Sequence, residues 1–212
     1  MNQRFATAVL AILTLTISGV GAIERGAKII DTIGVEAWGY KNASYAGGSL
    51  WGEALLTPEN QDWAIVAGIT GGQLTFDDIT IADSILWTGN LGVKWYLQEI
   101  TSIQVTAGYG QMSDLDVDVS NLRATLKQRF IPASDPISPY VSATLMVQKE
   151  GFAEGDDSTD IYFEAHLGAE FASRDDLAFI FDIGFIQTMS ASDETFDEQG
   201  IMAGFYMKYY WN

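Results

Sequence analysis

The sequence predicts an all-β fold, a closed antiparallel up-and-down barrel whose strands cross a membrane. Three observations lead there. Segments beyond residue 22 alternate apolar and other side chains with period two, most plainly in the closing stretch GIMAGFYMKYYWN. The connections between them alternate short and long. Beyond the N-terminus no window holds 18 consecutive apolar residues, which excludes a bundle of membrane helices.

The chain has 212 residues, enough for one domain, and is 48% hydrophobic with 12% aromatic residues and only four prolines. Having no cysteine, it can form neither disulfides nor thiolate metal sites. Arg4 precedes an apolar run from Ala6 to Ile17, too short to span a bilayer, and Val20 and Ala22 fit a small-residue cleavage pattern. Residues 1–22 therefore read as a secretory signal and 23–212 as the barrel. Losing Arg4 leaves 10 basic against 28 acidic residues, a mature charge of −18. Such a surface repels nucleic acid and anionic headgroups.

Ten strands are favoured, with eight as the alternative. The first, about Thr32 to Tyr40, sets Ile33, Val35 and Ala37 against Glu36 and Trp38. The second, Ser49 to Thr57, sets Leu50, Ala54 and Leu56 against Trp51, Glu53 and Leu55, with its orientation open. In the third, Trp63, Ile65, Ala67 and Ile69 align, and QLTF and ITIA are expected to extend it as a ribbon around Asp77 and Asp78. The fourth sets Ile85, Trp87, Leu91, Val93 and Trp95 against Thr88, Asn90, Lys94 and Tyr96, and the fifth sets Ile103, Val105, Ala107 and Tyr109 against Gln104 and Thr106.

Charge alternates most strongly in the sixth strand, where Leu122, Ala124, Leu126 and Phe130 oppose Asn121, Arg123, Lys127 and Arg129, with Gln128 as the exception. The seventh opposes Val141, Ala143, Leu145 and Val147 to Ser142, Thr144 and Met146. In the eighth, Phe163, Leu167 and Phe171 oppose Glu164, His166 and Glu170; in the ninth, Phe179, Phe181, Ile183 and Phe185 oppose Ile180 and Asp182, with Gln187 placed on the latter side. The tenth sets Ile201, Ala203, Phe205, Met207, Tyr209 and Trp211 against Met202, Tyr206, Lys208 and Tyr210.

Short links TPENQD, QEIT, PASDPIS and ASRDD fall at one rim, while residues 41–48, 71–84, 111–118, 149–160 and 188–199 read as long loops at the other. That is the plan of a barrel with short periplasmic turns and long external loops. Volume settles which face points out. Four to six apolar side chains on each of ten strands would overfill so narrow an interior, so that face is assigned to lipid. Trp63, Trp95, Phe130, Phe171, Phe179, Tyr209 and Trp211 then form a girdle near the short-turn rim, with Trp87 and Tyr109 near the other.

The signal, the segments LGVKWYL and SPYVSATL, and the aromatic last strand resemble the small outer-membrane β-barrel proteins of the OmpA, OmpX and opacity type. The likeness covers the whole mature chain as a pattern. It implies a cell outer-membrane location in a Gram-negative envelope, contact with outer-membrane lipid and lipopolysaccharide, and insertion by the barrel-assembly machinery through the last strand. Those families end on an aromatic residue, whereas here Asn212 follows Trp211. Many of them have eight strands.

The inner face carries five acids, Glu36, Glu53, Glu164, Glu170 and Asp182, and five bases, Lys94, Arg123, Lys127, Arg129 and Lys208. A charge on the lipid face costs about 2–4 kcal/mol for Lys or Arg at mid-bilayer, so these groups are expected inside as a salt-bridged plug. An ion-selective pore would show an excess of one sign. His166, the lone histidine, lies two residues from Glu164. With no serine nucleophile placed beside it, it reads as a member of the charge network, and no catalytic residue is predicted.

Acids crowd the predicted long loops at Asp77, Asp78, Asp83, Asp114, Asp116, Asp118, Glu150, Glu154, Asp156, Asp157, Asp160, Asp193, Glu194, Asp197 and Glu198, against Lys41 and Lys149. They read as a solvated surface, with divalent-cation binding as the sharper alternative. Asp114, Asp116 and Asp118 have the spacing that opens a calcium loop but lack its later glycine and twelfth-position glutamate. The expected protein is a monomeric structural or surface-interaction barrel, neither an enzyme nor dependent on a cofactor. A narrow porin-like channel is the alternative, ahead of a lipid- or peptide-cleaving barrel.

Overall fold

The computed structural model describes residues 28–40, 43–56, 63–77, 83–98, 100–152, 157–190 and 199–211. The predicted signal and Asn212 lie outside them, as do the ITIA half of the ribbon and loop residues Lys41, Asp78, Glu154, Asp156, Asp193, Glu194, Asp197 and Glu198. Ten strands run β1 Ile29–Gly39, β2 Ala43–Leu55, β3 Trp63–Phe76, β4 Ser84–Gln98, β5 Thr101–Met112, β6 Val117–Arg129, β7 Ile137–Phe152, β8 Ser158–Arg174, β9 Leu177–Ser190 and β10 Gln199–Trp211.

Every strand pairs antiparallel with its neighbours in sequence, and β1 closes on β10 from Ile29↔Trp211 to Gly39↔Ile201. Closure removes both sheet edges, so no row of backbone donors and acceptors is left open. Ten strands, rather than eight, form the wall. The first and last described residues, Lys28 and Trp211, lie together at one rim, the terminal rim, opposite the loop rim.

Side-chain direction follows the alternation of the sequence. Leu91 and Ile183 are 62% and 63% exposed on the outer face, among Ile33, Val35, Ile69, Leu122 and Leu167. The second strand's orientation is resolved: Leu50 points out and Glu53 and Leu55 point in. Gln187 is corrected. It pairs with Phe163 and Gln199 on the outward row, and buried Ile186 takes the inward place.

Strand length departs most from expectation. Stretches read as long loops are largely strand: 43–48 belong to β2, 117–118 to β6, 149–152 to β7 and 158–160 to β8. Apart from β1, with 11 residues, the strands have 12 to 17 and exceed the 9–11 residues, roughly, that a tilted strand needs to cross a bilayer. The surplus forms an extension at the loop rim. Between β5 and β6 the chain turns in residues 113–116, with Asp116 at φ 51°. Asp and Asn tolerate that left-handed conformation better than other side chains do.

Polarity inverts in this extension. Gln73, Thr75, Gln111, Asp118, Ser120 and Thr159 take the outer face, while Tyr45, Leu74, Met112, Val117 and Val119 form a buried cluster inside, joined by Trp38, Phe76, Leu86 and Leu115. Tyr45, Met112, Leu115 and Val117 fall in stretches that read as long loops, while Leu74 and Phe76 belong to the expected QLTF ribbon, which is strand: β3 runs on to Phe76.

Candidate functional site

The lumen has three levels. At the terminal rim lies a floor. Arg129 donates to Glu170 at 3.1 Å, the two side chains being 2% and 0% exposed. Lys208 stands 3.9 Å from the same carboxylate, and the Tyr210 hydroxyl donates to it. Beside them Lys94 pairs with Glu53 at 2.9 Å, and Tyr96 donates to Glu53. Two small apolar clusters, Ile30 with Ala178 and Tyr210, and Leu55 with Ala64 and Tyr96, pack at the same end. Buried charges persist only when paired and hydrogen-bonded, and each carboxylate here has both a cation and a phenol.

At mid-height His166 bridges two strands, with Nε2 3.8 Å from Glu164 and Nδ1 3.7 Å from Asp182. Arg123 reaches Glu164 at 3.5 Å, Tyr140 donates to Asp182 at 2.9 Å, and Tyr206 donates to Glu36 at 3.2 Å. Lys127 sits 3.6 Å from the centre of the Tyr140 ring, within cation–π range. Glycine makes this possible. A Cβ on Gly168 would lie 2.5 Å from the Tyr140 ring, and one on Gly184 would lie 2.9 Å from the His166 ring. Both rings use space that any side chain would fill.

Above the network the lumen is hollow. A cavity of about 1330 Å3 reaches the loop rim at Asp77, Leu115 and Asp157 and ends at Glu53, Lys94, Ser102 and Lys208. Arg129, Glu170, Tyr96 and Tyr210 lie below it and do not border it. The expected plug thus fills only the terminal end. All eleven residues assigned to the interior network, Glu36, Glu53, Lys94, Arg123, Lys127, Arg129, Glu164, His166, Glu170, Asp182 and Lys208, occupy inward positions of their strands.

The inner charge is not balanced, because two further acids, Glu150 and Asp160, turn inward from β7 and β8 and line the cavity. Both fall in the stretch 149–160, which reads in the sequence as a long loop and is strand at both ends. Asp31 is a third omission. It faces out at the terminal rim, where Trp211 Nε1 donates to it at 2.9 Å.

The register sets Ser142 opposite His166, a neighbour the sequence did not supply. Both imidazole nitrogens face carboxylates, so neither is aimed at that hydroxyl. The run Asp114, Asp116, Asp118 is split: Asp114 accepts from the Ile85 backbone N–H at 3.2 Å, Asp116 accepts from Gln111 at 3.4 Å, and Asp118 lies on the outer face of β6. Among the described residues no group of three His, Asp or Glu side chains is arranged to hold a metal ion.

The predicted girdle residues stand on the outer face near the rims. Trp63 and Trp95, paired across β3 and β4, stack with centroids 5.1 Å apart. Tyr209 stacks with Trp211, Phe179 with Phe205, and Phe171 meets Phe181 edge-on. Phe130 is exposed at the terminal rim, and Trp87 and Tyr109 are exposed toward the other.

Among solved structures, the translocator domain of autotransporter NalP from Neisseria meningitidis matches 98% of this chain and 96% of its own at 12% identity, with a TM-score of 0.51. The fold is that of the outer-membrane β-barrels. Neisserial surface protein A matches 88% of this chain and 97% of its own at 8% identity, TM-score 0.43. The N-terminal barrel of Pseudomonas aeruginosa OprF matches 86% and 97% at 12% identity, TM-score 0.41. No family model and no curated protein matches the sequence.

Proposed function

We propose that this chain is a monomeric, non-conducting barrel of a Gram-negative outer membrane that meets its partners at the loop rim. The floor carries this reading: a path for ions would have to cross Arg129 and Glu170, which are paired and closed to water. The outer apolar face supports a lipid environment, since soluble monomers rarely expose apolar patches beyond about 600 Å2. Lipid and lipopolysaccharide then surround the wall, and the barrel-assembly machinery inserts it. His166 serves the charge network and no hydrolysis is assigned to it. Divalent cations at the acidic loop rim would bridge to lipopolysaccharide phosphates, in which case calcium raises the thermal stability of the folded barrel.

Planar-bilayer recording tests the central statement. The wild-type protein is expected to give no stable channel, and the Arg129→Ala/Glu170→Ala double variant, if it folds, to conduct. Stable wild-type channels would instead support the narrow pore, which the depth of the cavity favours.

A further inference from the structure

Above the floor the lumen is divided from side to side by charge. On the inner faces of β2 to β5, Glu53 and Lys94 are the only charged side chains among the described residues, and both belong to the floor. Glu36, Arg123, Glu164, His166 and Asp182 stand on β1, β6, β8 and β9. The neutral wall carries Trp51, Thr70, Thr88, Asn90 and Gln104 along the cavity, and Asn121 of β6 closes its edge.

One row of this wall alternates glycine with larger groups. Trp51 pairs with Gly68, Gly68 with Asn90, Asn90 with Gly108 and Gly108 with Asn121. A Cβ on Gly68 would lie 2.3 Å from the Trp51 ring, so the indole lies over that glycine. A Cβ on Gly108 would lie 2.2 Å from Asn90 Oδ1 and 2.8 Å from the Asn121 amide, so the two amides meet over β5. The indole lines the cavity, and no other ring of the described residues packs on it. Asn90 Nδ2 donates to Thr88 Oγ1 at 3.2 Å, whereas the Asn121 side chain has no hydrogen-bond partner among the described residues.

We infer that the lumen binds a neutral pyranose ring, seated on Trp51 with its hydroxyls toward the amides of Asn90 and Asn121. A pyranose with equatorial hydroxyls turns axial C–H bonds to either face, and these meet the negative face of an indole. Its hydroxyls leave sideways as donors and acceptors, and a carboxamide offers two donors and an acceptor in return. Such a ligand calls for no charged partner, and this wall supplies none. The cavity of about 1330 Å3 exceeds one sugar unit, so a free sugar and the end of a longer glycan both fit. The inference is independent of the sealed-barrel reading, because the site stands above the floor.

The test is calorimetric titration of the protein in zwitterionic nanodiscs, with empty nanodiscs as blank. The probes are methyl β-D-glucopyranoside, sorbitol, which keeps the hydroxyls without the ring, and tetrahydropyran, which keeps the ring without the hydroxyls. The glucoside is expected to bind about fivefold or more tightly than either of the others, since only it presents both features in one rigid body. Trp51→Leu should weaken glucoside binding by about fivefold or more and Asn121→Ala by about threefold or more, while Glu150→Gln on the opposite wall leaves it unchanged. Absence of glucoside binding, equal binding of sorbitol or tetrahydropyran, or undiminished binding by Trp51→Leu would overturn the assignment. Cellotriose separates the two sources: tighter binding than the glucoside assigns a glycan end, and equal or weaker binding a free sugar. Should Trp51→Leu fail to fold, Asn121→Ala and the probe series on the wild-type protein still decide.

Discussion

At the height of Leu91 and Ile183 the barrel carries its apolar side chains outside and its charges inside; at the height of Leu74 and Val117 polar side chains such as Gln73, Thr75 and Asp118 stand outside and an apolar cluster lies inside, beside Glu150 and Asp160. The same backbone and the same two-residue period serve both regions. What differs is the solvent each face meets. Where the outer face meets hydrocarbon, charges are driven inward and must find partners, so Glu53, Glu170 and Glu164 each gather a base. Where the outer face meets water, polar residues can stand outside and the lumen is free to become apolar. A barrel with an apolar outer face thus continues into a short segment whose outer face carries polar side chains and whose interior holds an apolar cluster of its own.

The comparison can be broken at the floor first. Glu170→Ala removes the carboxylate shared by Arg129, Lys208 and Tyr210 and is expected to destabilise the folded barrel by about 3–5 kcal/mol, read by urea unfolding in vesicles. Arginine scanning on the outer face comes next. Leu91→Arg, at membrane height, is expected to cost about 2–4 kcal/mol, while Gln73→Arg, on the same face in the extension, should cost less than about 0.5 kcal/mol. Equal costs at the two positions would erase the boundary between the regions.

The smallest effect concerns Glu150, in the extension. Burial, above all, raises its carboxyl from the ordinary 4.5; Asp160 adds to the rise and the Gln148 amide opposes it. The folded form therefore holds its proton more tightly than the unfolded chain, and at neutral pH the ionised group costs stability. Glu150→Gln should raise the melting temperature at pH 7 by up to about 2 °C. The gain should shrink as pH falls through the folded pKa and vanish below the ordinary value. A gain that grows on acidification would contradict the burial of this side chain.

Much of the membrane region was legible in the sequence, because period two and the penalty on outward charge act on the same residues. Arg123, Lys127 and Arg129 against Leu122, Ala124 and Leu126 leave one solution, and the structure adopts it. The extension was not legible, because the reading keyed apolar residues to the outer face, and Leu74, Met112 and Val117 obey the period with the opposite sign. Met112 and Val117 therefore read as loop, together with Glu150 and Asp160, whereas Leu74 belongs to the expected QLTF ribbon, which is strand as far as Phe76. The pairings were hidden for a second reason. Lys94 meets Glu53, and His166 meets Asp182, through strand register, which sequence spacing does not disclose. Gly168 and Gly184 carried a faint signal, since glycine opposite an aromatic or imidazole marks a ring lying flat across the wall.

The inversion itself is open to direct measurement. The chain has no cysteine, so single cysteines bearing nitroxide labels can be placed along the outer face of β3 at 65, 67, 69, 73 and 75. In lipid vesicles, labels at 65, 67 and 69 are expected to collide preferentially with oxygen, and labels at 73 and 75 with a water-soluble nickel chelate. Nickel access at all five positions, or oxygen preference persisting through 75, would contradict the two-region account.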